Sequence, residues 1–212
     1  MKITIIGTGK MARGIGTRAL AGGHTVSLVG REPGKAEALA GELQGAAQGG
    51  TVRAADGAPL DGELVVLAVP YEAAAPLVQQ YRDQLAGKVV VDITNPVNWS
   101  NMMPAVAPGT SGAEEIARAA PASARVVKAF NTTFASTLLT GQVAGQPLDV
   151  FIAGDDDGAK ATISELVTSG GLRAVDAGPL HRARQLEALG LLHMAVQSSL
   201  NTGFASAVKI LA

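Results

Sequence analysis

Apolar and polar positions alternate in blocks along the first 130 residues. Short runs of β-branched and aliphatic residues, closed by glycine or proline, are typical of buried strands. They occupy residues 2–6, 24–29, 64–69, 88–93 and 125–130, with a weaker run at 51–54. Segments with helical spacing separate these runs, so the pattern predicts strands and helices in alternation. That order favours a parallel, doubly wound α/β sheet of the Rossmann type.

The helices of this first part are predicted from spacing and from their stop signals. The first follows the turn at residues 7–9, faces the sheet with Met11, Ile15 and Leu20, and ends at Gly22-Gly23. The others are predicted at 35–43, 73–85 and 112–120. We expect residues 45–62 to be mostly loop and 94–108, which carry Trp99 and prolines, to be irregular.

The pattern repeats once, on a smaller scale, after Gly141. A strand is predicted at 149–153, a helix at 159–169, and a second strand at 172–176. Residues 181–211 have few helix breakers and predict one or two helices, with a break near 198–203. We therefore expect a dinucleotide-binding domain at 1–140 and a small C-terminal α/β subdomain, ending in helices, at 141–212.

Composition narrows the class of protein. Hydrophobic residues make up 47% of the chain and aromatic residues only 3%, which suits aliphatic helices packed on a parallel sheet. The net charge of -1 gives no field that would attract nucleic acid or an anionic membrane. The absence of cysteine excludes disulfides, thiolate metal sites and thiol catalysis. No apolar stretch approaches the length of a membrane span, so we expect a cytoplasmic protein.

A glycine motif lies between the first predicted strand and the first predicted helix. The residues Gly7-Thr8-Gly9-Lys10-Met11-Ala12 match the pattern G-x-G-x-x-G/A of dinucleotide-binding domains. The first glycine permits a tight turn, and the second lets the backbone approach a pyrophosphate. The small alanine lets helix and strand pack closely, and the helix start presents free N–H groups to the anion.

The end of the second predicted strand indicates which dinucleotide binds. NAD-preferring domains usually carry an acidic residue there, which holds the ribose hydroxyls. This chain has Gly30-Arg31 instead, and a guanidinium can pair bidentately with a 2′-phosphate. Arg31 therefore favours NADP(H), although the neighbouring Glu32 could repel the phosphate or hold the ribose.

Residues that directly follow the predicted strands are expected to line the cofactor, which lies across the carboxyl ends of such a sheet. Three segments qualify: Ala68-Val69-Pro70, the turn with Asn95, and Ala129-Phe130-Asn131. Asn95 and Asn131 could bind a carboxamide or a second substrate. Asparagine before proline, as at Asn95, is also an ordinary way to start a turn.

The sequence offers no obvious catalytic side chain or metal site. The three histidines lack ligand spacing to one another or to an acidic pair, and no nucleophile lies in an elbow motif. The run Asp155 to Asp157 lacks the spaced oxygens of a calcium loop and is better explained as a helix N-cap. We predict that the chemistry belongs to the cofactor.

Motifs along nearly the whole chain resemble one known family. They are residues 2–16, 67–70, 92–97 and 127–132, and more specifically Ala-Gly-Asp-Asp-Asp at 153–157 with Asp-Ala-Gly-Pro-Leu at 176–180, followed by Ala183-Arg184 and Leu186-Glu187. The family is that of the deazaflavin (coenzyme F-420)-dependent NADP reductases. Residues 128–132 are also similar to the oxidoreductase domain of six-transmembrane metalloreductases. The pyrroline-carboxylate reductases are a more distant branch.

The resemblance implies an NADP-binding Rossmann domain, commonly a dimer, and direct hydride transfer between the nicotinamide and a deazaflavin ring. By matching motif, the dinucleotide would be held by Gly7, Thr8, Gly9, Lys10, Met11 and Arg31. The nicotinamide side would be lined by Ala68, Pro70, Asn95 and Ala129. The chain departs from the family at the 2′-phosphate end, where a more basic cluster than Arg31-Glu32 is common.

Three functions stay open at this point. The first is hydride transfer between NADP(H) and a second ring cofactor, coenzyme F-420 before FMN or FAD. The second is NADPH-dependent reduction of a small imine or carbonyl, or of ferric iron; an imine or carbonyl reductase needs a proton donor such as Tyr71, Asn131 or His193. The third is a non-catalytic sensor that binds NADP and presents its state to a protein partner.

Overall fold

A computed structural model describes residues 1–47, 49–57 and 59–211. The strands are β1 (Lys2–Ile6), β2 (Thr25–Val29), β3 (Thr51–Ala55), β4 (Leu64–Leu67), β5 (Val89–Asp92), β6 (Val97–Asn98), β7 (Met103–Pro104), β8 (Arg125–Lys128), β9 (Gln142–Val143), β10 (Gln146–Pro147), β11 (Asp149–Gly154) and β12 (Arg173–Gly178). The α-helices are α1 (Lys10–Ala21), α2 (Pro33–Ala46), α3 (Tyr71–Gln80), α4 (Gly112–Ala119), α5 (Ala135–Thr140), α6 (Asp157–Ser169), α7 (Ala183–Ala195) and α8 (Gln197–Leu200). Single turns of 3-10 helix cover Arg82–Leu85 and Leu180–Arg182.

The main sheet has the strand order β3-β2-β1-β4-β5-β8-β11-β12. The first six of these strands are parallel, and their order reverses between β1 and β4, so that a crevice opens there at the carboxyl ends of the strands. The expected doubly wound Rossmann sheet is confirmed. Beyond β8 the strand direction reverses. The strand β11 pairs antiparallel with β8, and β12 pairs parallel with β11.

Helices cover both faces of the sheet, so the central strands are apolar on both sides. In β4, Leu64 and Val66 pack under α1, α2, α5 and α6, whereas Val65 and Leu67 pack under α3 and α4. All four side chains are 1% exposed or less. Continuous burial is the reason that this strand is an unbroken aliphatic run, as parallel central strands are.

Several elements differ from the sequence-based expectations. The helix predicted at 73–85 is α3 followed by a 3-10 turn, with Pro76 inside α3. The loop at 94–108 contains the small hairpin β6-β7. The C-terminal helical segment ends early: α8 ends at Leu200, the following Asn201 has a left-handed φ of +50°, and the described residues after it form no helix. The helix α5 and the hairpin β9-β10, which lie on either side of the predicted domain boundary, were not expected.

The C-terminal unit β11-α6-β12 is joined to the rest through the sheet. Its division from the first domain at residue 140 stays a prediction.

The C-terminal residues are attached to the start of β11. The buried Asp149 carboxylate accepts hydrogen bonds from Arg173, from Lys209 Nζ (2.8 Å) and from the backbone N–H of Ile210 (2.9 Å). Among the described residues, no helix is both long and apolar enough to cross a bilayer.

Candidate dinucleotide-binding site

The glycine turn after β1 lies in the crevice between β2 and β4. Gly7 has a φ of +125°, a conformation that side chains rarely permit. A Cβ on Gly7 would lie 2.1 Å from the carbonyl oxygen of Ala68, so only glycine fits. The Gly7 N–H donates to the Val29 carbonyl at 2.8 Å, and the Ala68 N–H donates to the Ile6 carbonyl at 2.8 Å. The turn is thereby fixed to the strands on either side.

The second half of the motif forms the start of α1. Gly9 precedes the helix and is exposed, and open space surrounds the position where its Cβ would lie. Among the described residues, no side chain caps this helix end, and its first turn carries no acidic residue. Ala12 is fully buried against the sheet, and Met11 packs at the edge of the same core, whereas Lys10 is exposed. The arrangement suits an anion in front of the helix.

The segment after β2 places a basic side chain beside this turn. Gly30 packs against Thr8, since a Cβ on Gly30 would lie 2.8 Å from the Thr8 methyl. Arg31 is exposed. Glu32, which could oppose a phosphate, is paired instead: its carboxylate accepts a hydrogen bond from Lys35 Nζ at 2.8 Å. That hydrogen bond and the charge of Lys35 lower the pKa of Glu32.

The residues after β4 form the wall behind the glycine turn. Ala68 is half-buried and contacts Gly7, and Val69 packs against the core under α3. Pro70 is exposed and lies immediately before the first turn of α3. The three predicted residues of this segment therefore border the crevice.

Asn95 and Asn131, predicted as separate wall residues, form one pair across the ends of β5 and β8. Asn95 Nδ2 donates to the Asn131 backbone carbonyl at 2.8 Å, and Asn131 Nδ2 donates to Asn95 Oδ1 at 2.9 Å. Asn131 Nδ2 also donates to the Leu186 carbonyl of α7 at 2.8 Å. Helix α7 approaches the pair closely at Gly190, where a Cβ would lie 2.8 Å from Asn95 Oδ1.

Two polar atoms at this edge have no hydrogen-bond partner among the described residues. They are Asn131 Oδ1 and Thr94 Oγ1, and both residues are at least 95% buried. A buried acceptor without a partner is costly, and such atoms are rare in native proteins. Thr94 follows β5 and Asn131 follows β8, so both atoms lie at the carboxyl ends of these strands.

The backbone between Ala129 and Asn131 is strained. Ala129 is fully buried, and its N–H donates to the Asp92 carbonyl at 3.1 Å. Phe130 has a φ of +63° although its side chain is bulky and 1% exposed. The Phe130 carbonyl accepts from the N–H and the hydroxyl of Thr133, which hold this conformation. Strain of this kind is concentrated at binding and catalytic sites.

A buried charge cluster directly behind the asparagine pair was missed as a functional element by sequence reasoning. Lys128 Nζ lies 2.7 Å from Asp92 Oδ2 and 2.7 Å from Glu187 Oε1. All three side chains are at most 5% exposed. One sequence signal could have indicated the cluster: a charged residue ends each of the two neighbouring strands, Asp92 in β5 and Lys128 in β8.

A cavity of about 350 Å³ adjoins this edge. Its walls come from the loop at 94–108, including Pro96 and Pro104, and from α7, including Glu187 and Leu191. The walls are mostly apolar, and the polar groups come chiefly from Thr110, Arg184 and Glu187. Such a composition suits a ring that is held by apolar contact and oriented by a few polar groups.

Two of the three side chains considered as proton donors, Tyr71 and His193, are engaged by other protein groups. Tyr71 donates its hydroxyl hydrogen to Glu115, and burial together with this bond raises the pKa of Tyr71. His193 lies within hydrogen-bond distance of the Thr132 carbonyl and of Ser206 Oγ, at 3.2 and 2.9 Å. Burial lowers the pKa of His193. In the part of the chain that the structure describes, no group of three His, Cys, Asp or Glu side chains is placed to hold a metal ion.

A glycine turn at the strand-order reversal, an open helix N-terminus and a polar wall at the next strands define a Rossmann-type dinucleotide-binding protein. The model of a family described as "NADP oxidoreductase coenzyme F420-dependent" matches residues 2–96. An F420-dependent NADP reductase from Methanothermobacter marburgensis is 32% identical over 88% of this chain and 88% of its own length. The chain belongs to this F420-dependent NADP reductase family and is an NADP-dependent oxidoreductase.

Two further similarities agree with this assignment. Metalloreductase STEAP3 from Rattus norvegicus is 35% identical over 90% of this chain, which spans 36% of that protein's length. The solved structure of a protein assigned as an F420-dependent NADP reductase from Arthrobacter sp. FB24 is 32% identical, with a TM-score of 0.81 and full coverage of both chains. The predictions of the family, of NADP(H) as cofactor and of an oxidoreductase are therefore confirmed.

Proposed function

We propose that the protein transfers a hydride between NADP(H) and a second ring cofactor, a deazaflavin such as coenzyme F-420 in preference to FMN or FAD. The observation that carries this proposal is the apolar cavity of about 350 Å³ that shares the loop after β5 and helix α7 with the asparagine pair. A ring in this cavity would lie next to the carboxyl ends of β5 and β8. The names of the archaeal relatives support F420 as the partner.

The dinucleotide is assigned to the crevice at the ends of β1, β2 and β4. Gly7, Thr8 and Gly9 form the turn that a pyrophosphate approaches, and the N–H groups at Lys10, Met11 and Ala12 face it. The guanidinium of Arg31 takes the 2′-phosphate. Lys35 pairs with Glu32, the residue beside Arg31. The positive charge of Lys35 offsets the Glu32 carboxylate, so that the carboxylate repels the 2′-phosphate less.

The nicotinamide is assigned to the ends of β4, β5 and β8. Ala68, Val69, Pro70 and Ala129 supply the apolar wall, and Asn95 and Asn131 supply the polar one. The unpartnered Asn131 Oδ1 fits the N–H₂ group of a carboxamide. When bound, NADP(H) supplies or accepts the hydride, and the protein orients the nicotinamide and excludes water.

Direct transfer between two rings needs no protein proton donor, which agrees with the engagement of Tyr71 and His193 by other protein groups. Tyr71 is bound to Glu115 and its pKa is raised, and both ring nitrogens of His193 lie at hydrogen-bond distance from protein groups. A reductase of a small imine or carbonyl would need one of these groups free and pointing at the substrate. The geometry therefore favours a ring acceptor.

Anaerobic stopped-flow spectroscopy tests the proposal. The protein is mixed with NADPH and then with oxidised coenzyme F-420, FMN or FAD, and the nicotinamide absorbance is followed. We expect rapid oxidation of NADPH by the deazaflavin and slower oxidation by the flavins. Tight NADPH binding without oxidation by any of the three rings would refute the proposal and favour a small-molecule reductase or a sensor.

A homodimer and a cytoplasmic location stay proposals. An apolar surface supports the first: Trp99 and Phe204, 72% and 49% exposed, border a second cavity of about 500 Å³ with Met194. Sedimentation velocity over a range of concentrations would measure the oligomeric state, and a mass that stays monomeric at micromolar concentration would contradict a dimer.

A further inference from the structure

The cluster of Lys128, Asp92 and Glu187 lies behind the asparagine pair and outside the crevice itself. The ammonium group has three N–H donors and meets three acceptors: Asp92 Oδ2, Glu187 Oε1 and the carbonyl oxygen of Thr94. The three acceptors thus match the three N–H donors of the ammonium in number. Each acceptor belongs to a different part of the site: the end of β5, the loop after it, and helix α7.

The second carboxylate links the cluster to α4. Glu187 Oε2 accepts the N–H of Gly112 at 3.0 Å, and Glu187 Oε1 accepts the N–H of Ala113 at 3.2 Å. These are the first residues of α4, where the helix presents free N–H groups. The ammonium and this helix terminus together offset two buried carboxylates, and burial raises the pKa of Glu187.

The same bonds determine where Asn95 and Asn131 lie. Asp92 Oδ1 accepts the Thr94 N–H at 2.8 Å, so both polar backbone atoms of Thr94, immediately before Asn95, are fixed by the cluster. On the other side, Asn131 bonds to the carbonyl of Leu186, the residue next to Glu187. Lys128 therefore bonds both the loop after β5 and α7, the two elements on either side of the asparagine pair.

We propose that Lys128 and Glu187 are positioning residues for the nicotinamide: they hold the loop after β5 and helix α7 at the separation that aims Asn95 and Asn131 at the carboxamide. The proposal rests on the assignment of the nicotinamide to this edge of the sheet. A cluster that served stability alone could lie at any buried position, whereas this one bonds the loop that carries Asn95 and the helix that Asn131 contacts.

The test compares two ligands that share the adenosine end. NADP⁺ contains the nicotinamide, and 2′-phospho-ADP-ribose lacks it; calorimetry gives the affinity of each. A second measurement, the fluorescence increase of bound NADPH, reports how rigidly the reduced nicotinamide is held. Neither measurement requires turnover. In the wild-type protein we expect tighter binding of NADP⁺ than of 2′-phospho-ADP-ribose and a clear increase of NADPH fluorescence.

Glu187→Gln is the principal variant because it keeps Lys128 paired with Asp92. In the variant, one of the two carboxylate oxygens is replaced by an N–H₂ group, which cannot accept a hydrogen bond. Depending on the orientation of the carboxamide, the bond from Lys128 or the bond from the Gly112 N–H is lost. We expect the affinity for NADP⁺ to fall about tenfold and the NADPH fluorescence increase to be reduced. Binding of 2′-phospho-ADP-ribose should change less than about twofold, because that ligand does not reach α7. Lys128→Met should show a larger loss if it folds, since it leaves two buried carboxylates uncompensated.

Asp149→Asn is the matched control. It also disrupts a buried, ion-paired carboxylate, but one whose partners are Arg173, Lys209 and the N–H of Ile210, and which bonds neither α7 nor the loop after β5. It should lower thermal stability and leave both nicotinamide readouts unchanged. Wild-type values for Glu187→Gln, or an equal loss in Asp149→Asn, would overturn the positioning role alone. If the wild-type protein binds both ligands equally and shows no fluorescence change, the nicotinamide assignment is wrong as well.

Discussion

Gly190 of α7 lies against Asn95, and a Cβ at this position would be 2.8 Å from Asn95 Oδ1 and 3.0 Å from Nδ2. The helix therefore reaches the asparagine pair only because this residue has no side chain. The relationship couples the packing of α7 to the polar wall of the site, and a single methyl group is enough to test it.

Gly190→Ala should displace Asn95 or α7 by a few tenths of an ångström or more. We expect a loss of stability of about 1–3 kcal/mol, as for other overpacked sites. The rate of hydride transfer should fall by tenfold or more, because alignment of the rings is lost. Single-turnover kinetics with NADPH measure this rate. The control is Gln185→Gly, at an exposed position of the same helix. It should lower the free energy of unfolding by about 1 kcal/mol through helix propensity and leave the rate unchanged. Equal rate losses in both variants would contradict a specific role for Gly190.

Gly9→Ala separates folding from cofactor binding. Gly9 has an ordinary φ of -84°, and nothing lies within 4 Å of the position that a Cβ would occupy, so the variant should fold with wild-type stability. A pyrophosphate in front of α1 would, however, meet the new methyl group. We expect NADPH affinity to fall by about tenfold or more, measured by calorimetry.

Gly41→Ala is the control for this variant. Gly41 lies in α2, is exposed, and also has open space at its Cβ position. It should gain about 1 kcal/mol of helix stability and retain full NADPH affinity. Unchanged binding in Gly9→Ala would show that the pyrophosphate does not approach this turn.

The residue that distinguishes NADP from NAD usually lies at the end of β2, and Lys35 lies beyond it. We nevertheless predict that Lys35 contributes to NADP selectivity. Its ammonium pairs with Glu32, so Lys35→Met should release a carboxylate beside Arg31. The ratio of NADPH to NADH affinity should then decrease by up to about fivefold, the scale of an exposed pair. Glu32→Gln should raise the same ratio.

The selectivity change is checked by calorimetry at two ionic strengths, because an effect between exposed charges weakens with salt. Glu63→Gln removes the same charge immediately before β4, at the opposite edge of the sheet, and should leave the ratio unchanged. If Lys35→Met leaves the ratio of wild type, Glu32 does not oppose the 2′-phosphate.

Local sequence signals predicted the parts of the site that depend on backbone chemistry. The strand β1, the glycine turn and the small Ala12 are recognisable because one short segment must satisfy a turn, an anion and close packing together. Arg31 was singled out in the same way, from its place after β2, and its role at a 2′-phosphate stays a prediction. Each of these residues could be interpreted from its neighbours in the chain.

Other features depend on contacts between distant segments and could not be predicted. The pairing of Asn95 with Asn131 requires the register of β5 and β8 and the position of α7. The sequence shows that Asp92 and Lys128 each close an apolar strand, but not that Lys128 is buried and meets Glu187, because that contact depends on the packing of α7. The short helix α5 contains serine and threonines of weak helix propensity; it is held by Leu138, which packs on Gly14 of α1.

The end of the chain should detach from β11 in acid. Burial alone would raise the pKa of Asp149, but hydrogen bonds from Arg173 and Lys209 outweigh it and lower the pKa to about 2. Because the carboxylate is favoured in the folded state, its contribution to stability is present above the unfolded pKa near 3.8 and is lost as the pH falls toward about 2.

Asp149→Asn should be less stable at pH 7 by about 1–3 kcal/mol, since charged hydrogen bonds are lost. Urea unfolding at pH 7, 4 and 2.5 measures the difference from wild type, which should shrink as the pH falls. The exposed Asp83→Asn serves as control and should follow the wild-type curve. A stability difference for Asp149→Asn that is the same at all three pH values would show that its carboxylate is not the group that titrates.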